Sequence, residues 1–454
     1  MKLAFKPENI FLLFTILFGL LLVFLVPPLM GADEQYHLSR IYSLSEGKVA
    51  SSINQRMTGN FVPTAIHSFV KFWYPMIKDI HIKTDYAQIN KSSKIVIDKK
   101  NLQFSNQKYQ TLYHPLAYLP QTIGMIFAKF FTKSVYWLLI SSKLFLLAFY
   151  IAIGYCAIRI TPVFKWLFLT LLLMPTAMSL GASVSADGVL IPIAFLFFAY
   201  IFKFSFDENL YINKNEVLIF SVLVGALALA KQSFLISLFL FFIPKKKFGR
   251  FYFYKILAIM LPGALLAFLW SVVCQRWFIP LNQSSPVLQA HFILQHPFIY
   301  LMTLLKTIKL CFVMWLYMVI GVLGWNNVFL FPVTYILYFF MSIFNSIYDD
   351  SLIDKAVVTC WQKLLLFVIF IINFVFIATE LYLSWTPPYF TEFISFIQGR
   401  YLIPILLPVF VLIGVLFTSC KRRTAILNYA SCLLLFLTYV NVFVSIYVSY
   451  YFKY

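Results

Sequence analysis

The sequence predicts an all-α, polytopic integral membrane protein. Of its 454 residues, 62% are hydrophobic and only 11% are charged. Apolar runs of about 20 residues, enough for a helix to cross a hydrocarbon core of ~30 Å, recur along the chain. Such runs are expected to be helical because lipid offers the backbone no hydrogen-bond partner. Together with a mean hydropathy of +0.85, these observations exclude a soluble globular domain.

The apolar runs divide the chain into predicted crossings and one long loop. The first run, near 10–29, is predicted as a retained helix because it is long, ends in Pro27-Pro28 and lacks a small-residue cleavage site. A loop follows over about 30–135. Further crossings are predicted near 136–158, 166–180, 188–203, 216–230, 232–243, 252–273, 301–323, 328–344, 364–381, 401–418 and 425–447. This gives about 11–12 hydrophobic helices in one integral membrane domain over residues 1–454.

Basic residues indicate the orientation of these helices. Short connections carry Lys and Arg, among them Lys245-Lys246-Lys247, and such connections favour the cytoplasm. The long first loop is exempt from this rule and is expected to be extracytoplasmic, with the N-terminus cytoplasmic. If every run crosses, Lys421-Arg422-Arg423 falls outside, so one run is expected to be re-entrant or interfacial, and 301–323 is the candidate. The net charge of +20 then reflects topology, and no nucleic-acid partner is predicted.

Within the loop, three segments have the pattern of amphipathic helices that lie on a membrane surface. They are residues 33–48, 61–77 and 113–131. The polar residues 78–112 between them are expected to fold over the same surface. The lipid bilayer is therefore the first predicted partner of the protein.

The loop begins with the polar run Gly31-Ala32-Asp33-Glu34-Gln35-Tyr36-His37. A carboxylate at this place can act as a general base, with Asp33 as the first candidate and Glu34 beside it. His37 lies one helical turn from Asp33 and can orient it, bind a phosphate oxygen or help to hold a divalent ion. The structural alternative is that the acids simply suit the first turn of a helix through capping and the helix dipole.

A second acid, Asp187, stands in Ser183-Val184-Ser185-Ala186-Asp187-Gly188 between two apolar runs. The predicted orientation puts it on the same side of the membrane as Asp33, so both acids can line one pocket. One would serve as base, and the other would orient a substrate or help to bind a metal ion. The alternative is an ordinary helix N-cap.

The candidates for phosphate binding are cations beside apolar runs. Arg400 offers a planar donor fork, and Lys231 is flanked by apolar residues on both sides. A charge in such a position is costly, so a partner is expected, although snorkelling to the interface competes with this interpretation. Tyr113 and His114 are predicted to line the same site. Lys143 is a weaker candidate.

The order of these motifs resembles one bacterial membrane-protein family. GADEQYH, YHPLAYLP, LMPTAMSLGASVSADG, ALAKQSF and IQGRYLIP follow one another as in the family of domain of unknown function 2142, over residues 10–445. That family is similar to the GT-C superfamily of glycosyltransferases. The resemblance implies a multi-helix fold, a first outer loop with interfacial helices and a catalytic carboxylate, and a polyprenyl-phosphate sugar as donor.

The expected function is therefore an inverting glycosyltransferase of the bacterial cytoplasmic (inner) membrane, with an extracytoplasmic active site. Asp33 would be the base, Asp187 and Glu34 supporting acids, and Arg400 with Lys231 the phosphate clamp. The acceptor would be a cell-surface glycan such as an O-antigen or wall polymer. No cofactor is required, although Mg²⁺ or Mn²⁺ bound by Asp33 and Asp187 is compatible with the residues. The alternatives are a transporter or flippase of lipid-linked sugars and a polysaccharide polymerase or ligase.

Overall fold

The computed structural model describes residues 6–231, 233–280, 284–349, 358–417 and 423–452. It is 73% helical and 5% strand, which confirms the predicted all-α membrane fold. Within the described residues, seven helices are long and apolar enough to cross a membrane. The predicted 11–12 hydrophobic segments include shorter ones, of which 332–347 and 403–417 are apolar helices of 16 and 15 residues.

The α-helices of the described residues are, in chain order, α1 (Pro7–Leu25), α2 (Glu34–Ser45), α3 (Thr64–Lys78), α4 (Tyr86–Ser93), α5 (Leu119–Lys129), α6 (Val135–Ile160), α7 (Lys165–Leu172), α8 (Pro175–Gly181), α9 (Asp187–Phe206), α10 (Lys214–Lys231), α11 (Tyr252–Cys274), α12 (Pro286–Gln295), α13 (Pro297–Gly321), α14 (Pro332–Ile347), α15 (Cys360–Trp385), α16 (Ile403–Phe417) and α17 (Ala425–Tyr450). Short 3₁₀ helices include Lys108–Thr111, Pro115–Tyr118, Phe234–Phe242 and Gly399–Tyr401. The helices α1, α6, α9, α11, α13, α15 and α17 form the seven candidate spans.

The first loop also contains a small antiparallel sheet that the sequence analysis did not predict. Its order is β1 (Ser52–Asn54), β2 (Met57–Pro63) and β3 (Leu102–Asn106). A Cβ atom added at Gly59 would lie 1.8 Å from the carbonyl oxygen of Ser105, so this contact between strands requires glycine. A second pair, β4 (Val322–Leu323) and β5 (Val328–Phe329), follows α13.

The centre of the bundle is α9, whose most apolar window is 78% buried, the highest value among the candidate spans of the described residues. It packs against α6, α8 and α10. The single crossing predicted at 166–180 is wrong, because the structure has two short buried helices there, α7 and α8. The break falls before Pro175, which lacks an N–H and disfavours helical backbone at Met174.

Two other predictions about crossings need correction. The crossing predicted at 232–243 is wrong for the described residues 233–243, because Phe234–Phe242 is a 3₁₀ helix of nine residues, which at ~2.0 Å per residue is too short to cross. Of the segment 301–323, expected to be re-entrant or interfacial, residues 301–321 belong instead to α13, a continuous 25-residue helix that is long and apolar enough to cross a membrane. The helices α7, α8 and 234–242 are therefore the short segments that interrupt the series of predicted membrane crossings. Lys421 and Arg422 lie outside the described residues.

The three helices predicted in the first loop exist as α2, α3 and α5. Residues 113–118 do not belong to the third helix, because Pro115 starts a separate 3₁₀ turn. The helix α2 does not lie exposed along a surface: ten of its twelve residues are buried, including charged Arg40. The loop packs onto the helix bundle, where Trp325 Nε1 donates to the carbonyl of Leu29 at 3.1 Å.

Candidate functional site

One end of the helix bundle holds a cavity of about 470 Å³. The helix α9 begins there, α10 and α15 end there, and the first loop contributes part of the wall. The polar and charged lining includes Asp33, His37, Lys108, Tyr109, Tyr113, Asp187, Lys231, Glu380, Arg400 and Tyr401. Residues far apart in the sequence thus meet at one end of the bundle.

Asp33 stands just before α2 in the left-handed backbone conformation, with φ of 61°. Asp tolerates this conformation better than most residues do. Its side chain makes no capping hydrogen bond to α2. Instead, Asp33 Oδ2 accepts a hydrogen bond from Arg400 Nη2 at 2.9 Å. Asp33 therefore pairs with Arg400 and does not act as the capping side chain of α2, the structural alternative considered from the sequence.

Asp187 is the first residue of α9 and is almost fully buried, with 3% of its side chain exposed. Its Oδ1 accepts from Lys231 Nζ at 2.6 Å, and its Oδ2 lies 3.8 Å from Arg400 Nε. Ser185 Oγ donates to Oδ2 at 3.4 Å. Asp187 does not cap α9. A buried carboxylate is tolerated here because two cations lie beside it.

Arg400 and Lys231 are further held by aromatic rings. Lys231 Nζ lies 4.4 Å from the centroid of the Tyr401 ring and 5.5 Å from that of Tyr113. The Arg400 guanidinium carbon lies 5.3 Å from the Tyr401 ring. Arg400 Nη1 is buried and makes no hydrogen bond to any described residue. The guanidinium therefore has donor capacity left for an anion in the cavity.

The environment sets the charge of Asp33 and His37, two of the titratable groups that the first loop contributes. Burial disfavours the ionised form of Asp33, but the surrounding positive groups, Arg400 first among them, together outweigh burial, and the pKa of the Asp33 carboxyl lies below its usual value. Burial lowers the pKa of His37 to about 4, although Asp33 opposes this shift. At neutral pH, Asp33 is thus ionised and His37 is neutral. His37 Nδ1 lies 2.7 Å from the Tyr118 hydroxyl oxygen, a hydrogen bond that fixes the ring.

A model of the family described as predicted membrane protein (DUF2142) matches residues 15–409. The chain belongs to this family. No curated protein and no solved structure matches it significantly. The matched part of this DUF2142 protein runs through both carboxylates, Asp33 and Asp187, and both cations, Lys231 and Arg400. The family resemblance inferred from motif order is confirmed, whereas similarity to GT-C enzymes stays a prediction.

Two predicted site residues of the DUF2142 protein lie outside the cavity lining. Glu34 is fully buried, and its Oε1 pairs with Lys143 Nζ at 3.0 Å. His114 packs edge-on against Trp270, with ring centroids 4.7 Å apart, and its Nδ1 accepts from the backbone of Leu116. The geometry gives both residues structural roles. It also identifies Lys143 as the partner of Glu34 rather than as a phosphate ligand.

Glu380 lines the cavity but was not predicted as a site residue. It lies in α15, inside the apolar run predicted at 364–381. A carboxylate within a membrane helix is a functional candidate by default, and this signal was readable from the sequence of the DUF2142 protein. Tyr401, Tyr109 and Trp385 were missed as well, because aromatic residues are common throughout this chain.

The donor set was tested against the divalent cation considered from the sequence. Among the described residues, no group of three or more His, Cys, Asp or Glu side chains is placed to hold a metal ion. The carboxylates of Asp33 and Asp187 already face Arg400 and Lys231. A divalent cation would have to displace these charges, so the residues do not fit a metal site, and no step below depends on one.

Proposed function

We propose that this protein is a membrane glycosyltransferase. It moves a sugar from a polyprenyl-phosphate donor to a cell-surface glycan, such as an O-antigen or wall polymer, by inverting single displacement. The observation that supports this proposal is that Asp33 and Asp187 face Arg400 and Lys231 at one cavity. The reaction needs a carboxylate that accepts the proton of the incoming hydroxyl and cations that hold the departing phosphate.

In the proposed reaction, the acceptor hydroxyl attacks the anomeric carbon of the donor sugar. The bond between that carbon and the phosphate oxygen breaks, and the Asp33 carboxylate takes the hydroxyl proton. The products are the new glycoside, with inverted configuration, and polyprenyl phosphate. Asp33 suits this task because it is ionised at neutral pH and 30% of its side chain is exposed.

Arg400 links phosphate binding to the base. The donor phosphate competes with Asp33 for the guanidinium, whose free Nη1 offers a first contact. As phosphate takes up the charge of Arg400, the Asp33 carboxylate loses its stabilising partner and becomes more basic. Asp187 keeps its close contact with Lys231 and so holds the second cation at the cavity. Asp33 is then activated only when a donor is bound.

The protein is membrane-embedded, and we propose that the cavity opens on the extracytoplasmic side of the bacterial inner membrane. This orientation rests on the basic connections, such as 245–247, which favour the cytoplasm. It would leave the cavity within reach of glycans outside the cell membrane. A protease-accessibility assay on the first loop in intact spheroplasts tests this orientation independently of activity. Cleavage of the loop by added protease is expected if the loop is extracytoplasmic.

The proposal is tested with purified protein in liposomes, a panel of synthetic polyprenyl-phosphate hexoses and crude surface glycan. We expect release of free polyprenyl phosphate from at least one donor, dependent on added glycan. Intact donor across the whole panel, with donor moved to the other leaflet, would instead establish a transporter of lipid-linked sugars. The charged cavity would serve that function through the same residues.

We expect Arg400→Lys to reduce release of polyprenyl phosphate by about 10- to 100-fold, because Lys has no planar fork for two anions at once. The Michaelis constant for the donor is expected to rise, since the lost contacts involve phosphate. Lys203→Arg, at the far end of α9, is the matched control and should behave like wild type. Unchanged donor kinetics in Arg400→Lys would contradict the clamp.

The pH dependence should follow Asp33 rather than His37. Since the pKa of Asp33 is lowered, its basic form persists as pH falls, and kcat/KM should stay flat from about pH 8 to about pH 5. No inflection is expected near 6.5, the usual pKa of His, because His37 titrates at about 4. Protein held at pH 5 and assayed at pH 7.5 controls for unfolding. An acid limb between pH 6 and 7 would assign the base elsewhere.

A further inference from the structure

The last two turns of α15, which are far from Asp33 in the sequence, form another part of the cavity wall. Glu380, Ser384 and Trp385 all line the cavity there. The Glu380 side chain is exposed to the cavity, yet within the described residues it has neither an ion pair nor a hydrogen bond. The proposed reaction uses none of these three residues.

An unpaired carboxylate on an apolar helix is costly. A carboxyl group accepts hydrogen bonds through its oxygen atoms in either protonation state, so a ligand with hydrogen-bond donors can satisfy Glu380. Adjacent hydroxyl groups of a sugar ring are donors spaced for the two oxygens of one carboxylate. A cationic ligand would bring donors too, but Lys231 and Arg400 line the same cavity and repel it.

Beside Glu380, aromatic rings form a fixed surface. The ring centroids of Trp385 and Tyr109 are 4.8 Å apart, and the Phe278 ring lies 6.2 Å from that of Tyr109. The Tyr109 hydroxyl donates to the carbonyl of Ser384 at 2.9 Å, which ties the first loop to the end of α15. Rings held in this way offer an apolar face, and the C–H face of a pyranose is its natural counterpart.

We propose that Glu380 and the Trp385–Tyr109 ring pair form a binding subsite for a pyranose ring. The carboxylate accepts hydrogen bonds from two ring hydroxyls, and the rings stack on the C–H face. The inference rests on the proposed function, because it gives the sugar a place beside the phosphate-binding cations. Two sugars could occupy the subsite, that of the lipid donor and that of the glycan acceptor.

Binding is tested without any reaction, by saturation-transfer difference NMR on detergent-solubilised protein. The probes are methyl glycosides of glucose, galactose, mannose, rhamnose and N-acetylglucosamine. For at least one probe we expect ring-proton signals in wild type that fall by about tenfold in Glu380→Leu and in Trp385→Ala. Trp385→Phe keeps a ring and should keep most of the signal. Glu208→Gln, at the other end of the bundle, is the control for a lost carboxylate.

Kinetics distinguish the two sources of the sugar and separate this proposal from the proposed function. If Glu380→Gln raises only the Michaelis constant for the glycan, the subsite binds the acceptor sugar. If it raises only the Michaelis constant for the lipid donor, the subsite binds the donor sugar. If wild type transfers sugar and neither constant changes in Glu380→Gln or Trp385→Ala, the subsite is wrong while the glycosyltransferase stands. Probe signals that are absent from wild type, or equal in every variant, also overturn the subsite.

Discussion

Asp33→Asn is expected to lower the rate of polyprenyl phosphate release by about 100- to 10,000-fold, the usual contribution of a general base. Asparagine keeps the shape of the side chain, and its amide oxygen can still accept from Arg400 Nη2, so the position of the cation should survive. What the variant loses is the ability to take a proton from the acceptor hydroxyl. The expected loss is therefore in kcat, with little change in the Michaelis constant for the donor.

Asp98→Asn provides the matched control for this prediction. Asp98 is an exposed acid of the same loop, and its side chain accepts hydrogen bonds from two nearby loop residues, Lys100 and Asn101. Its amide variant should transfer sugar at the wild-type rate. Thermal unfolding in detergent should give the same Tm for wild type, Asp33→Asn and Asp98→Asn to within about 3 °C. Asp33→Asn protein that keeps more than a tenth of wild-type kcat would remove Asp33 from the role of base.

The charged cavity was largely accessible from the sequence because charges beside apolar runs carry a high energetic cost. Lys231 and Asp187 stand at ends of apolar helices, where a partner is required, and the structure pairs them at 2.6 Å. The same argument applied to Glu380 would have identified it as well. Glu380 is a single acid inside an apolar run, whereas Asp33 and Asp187 belong to polar motifs between such runs.

Glu34 could not be separated from Asp33 by sequence reasoning. Asp33 precedes α2 in the left-handed conformation and Glu34 is the first helical residue, so their side chains leave the backbone in different directions. Which acid faces the cavity depends on the position of Lys143 in α6, because Lys143 pairs with Glu34. These two residues are 109 positions apart in the chain. The sheet of the first loop was missed for a similar reason, because its strands are short and the paired residues of β2 and β3 are 39 to 47 positions apart in the chain.

The interrupted crossing at 166–180 illustrates a signal that was present and not used. Pro175 marks a helix start, and the residue before proline avoids helical backbone. Met174 indeed has ψ of 132°, which ends α7 and begins α8. Because the surrounding residues are almost all apolar, hydropathy alone merged the two short helices into one crossing.

Lys143→Met is expected to reduce the free energy of unfolding by about 3–5 kcal/mol, because it leaves the Glu34 carboxylate buried without its partner. Only 1% of the Lys143 side chain and none of that of Glu34 is exposed. The pair joins the first turn of α2 to the middle of α6, so it also holds the backbone that presents Asp33. A Cβ atom at Gly31 would lie 2.7 Å from Glu34 Cδ, which leaves no room for the carboxylate to move toward that side.

The double variant Glu34→Gln/Lys143→Met separates two contributions to the free energy of unfolding, the penalty of an unpaired buried charge and the net stabilisation by the ion pair. Removing both charges should recover most of the lost stability, since a buried ion pair is often close to neutral overall. Lys129→Met is the matched control: Lys129 pairs with Glu46 at 2.6 Å but is 21% exposed, so its loss should cost about 1 kcal/mol or less. Denaturation in detergent measures all three variants. Equal effects of Lys143→Met and Lys129→Met would mean that the Glu34–Lys143 pair does not anchor the start of α2.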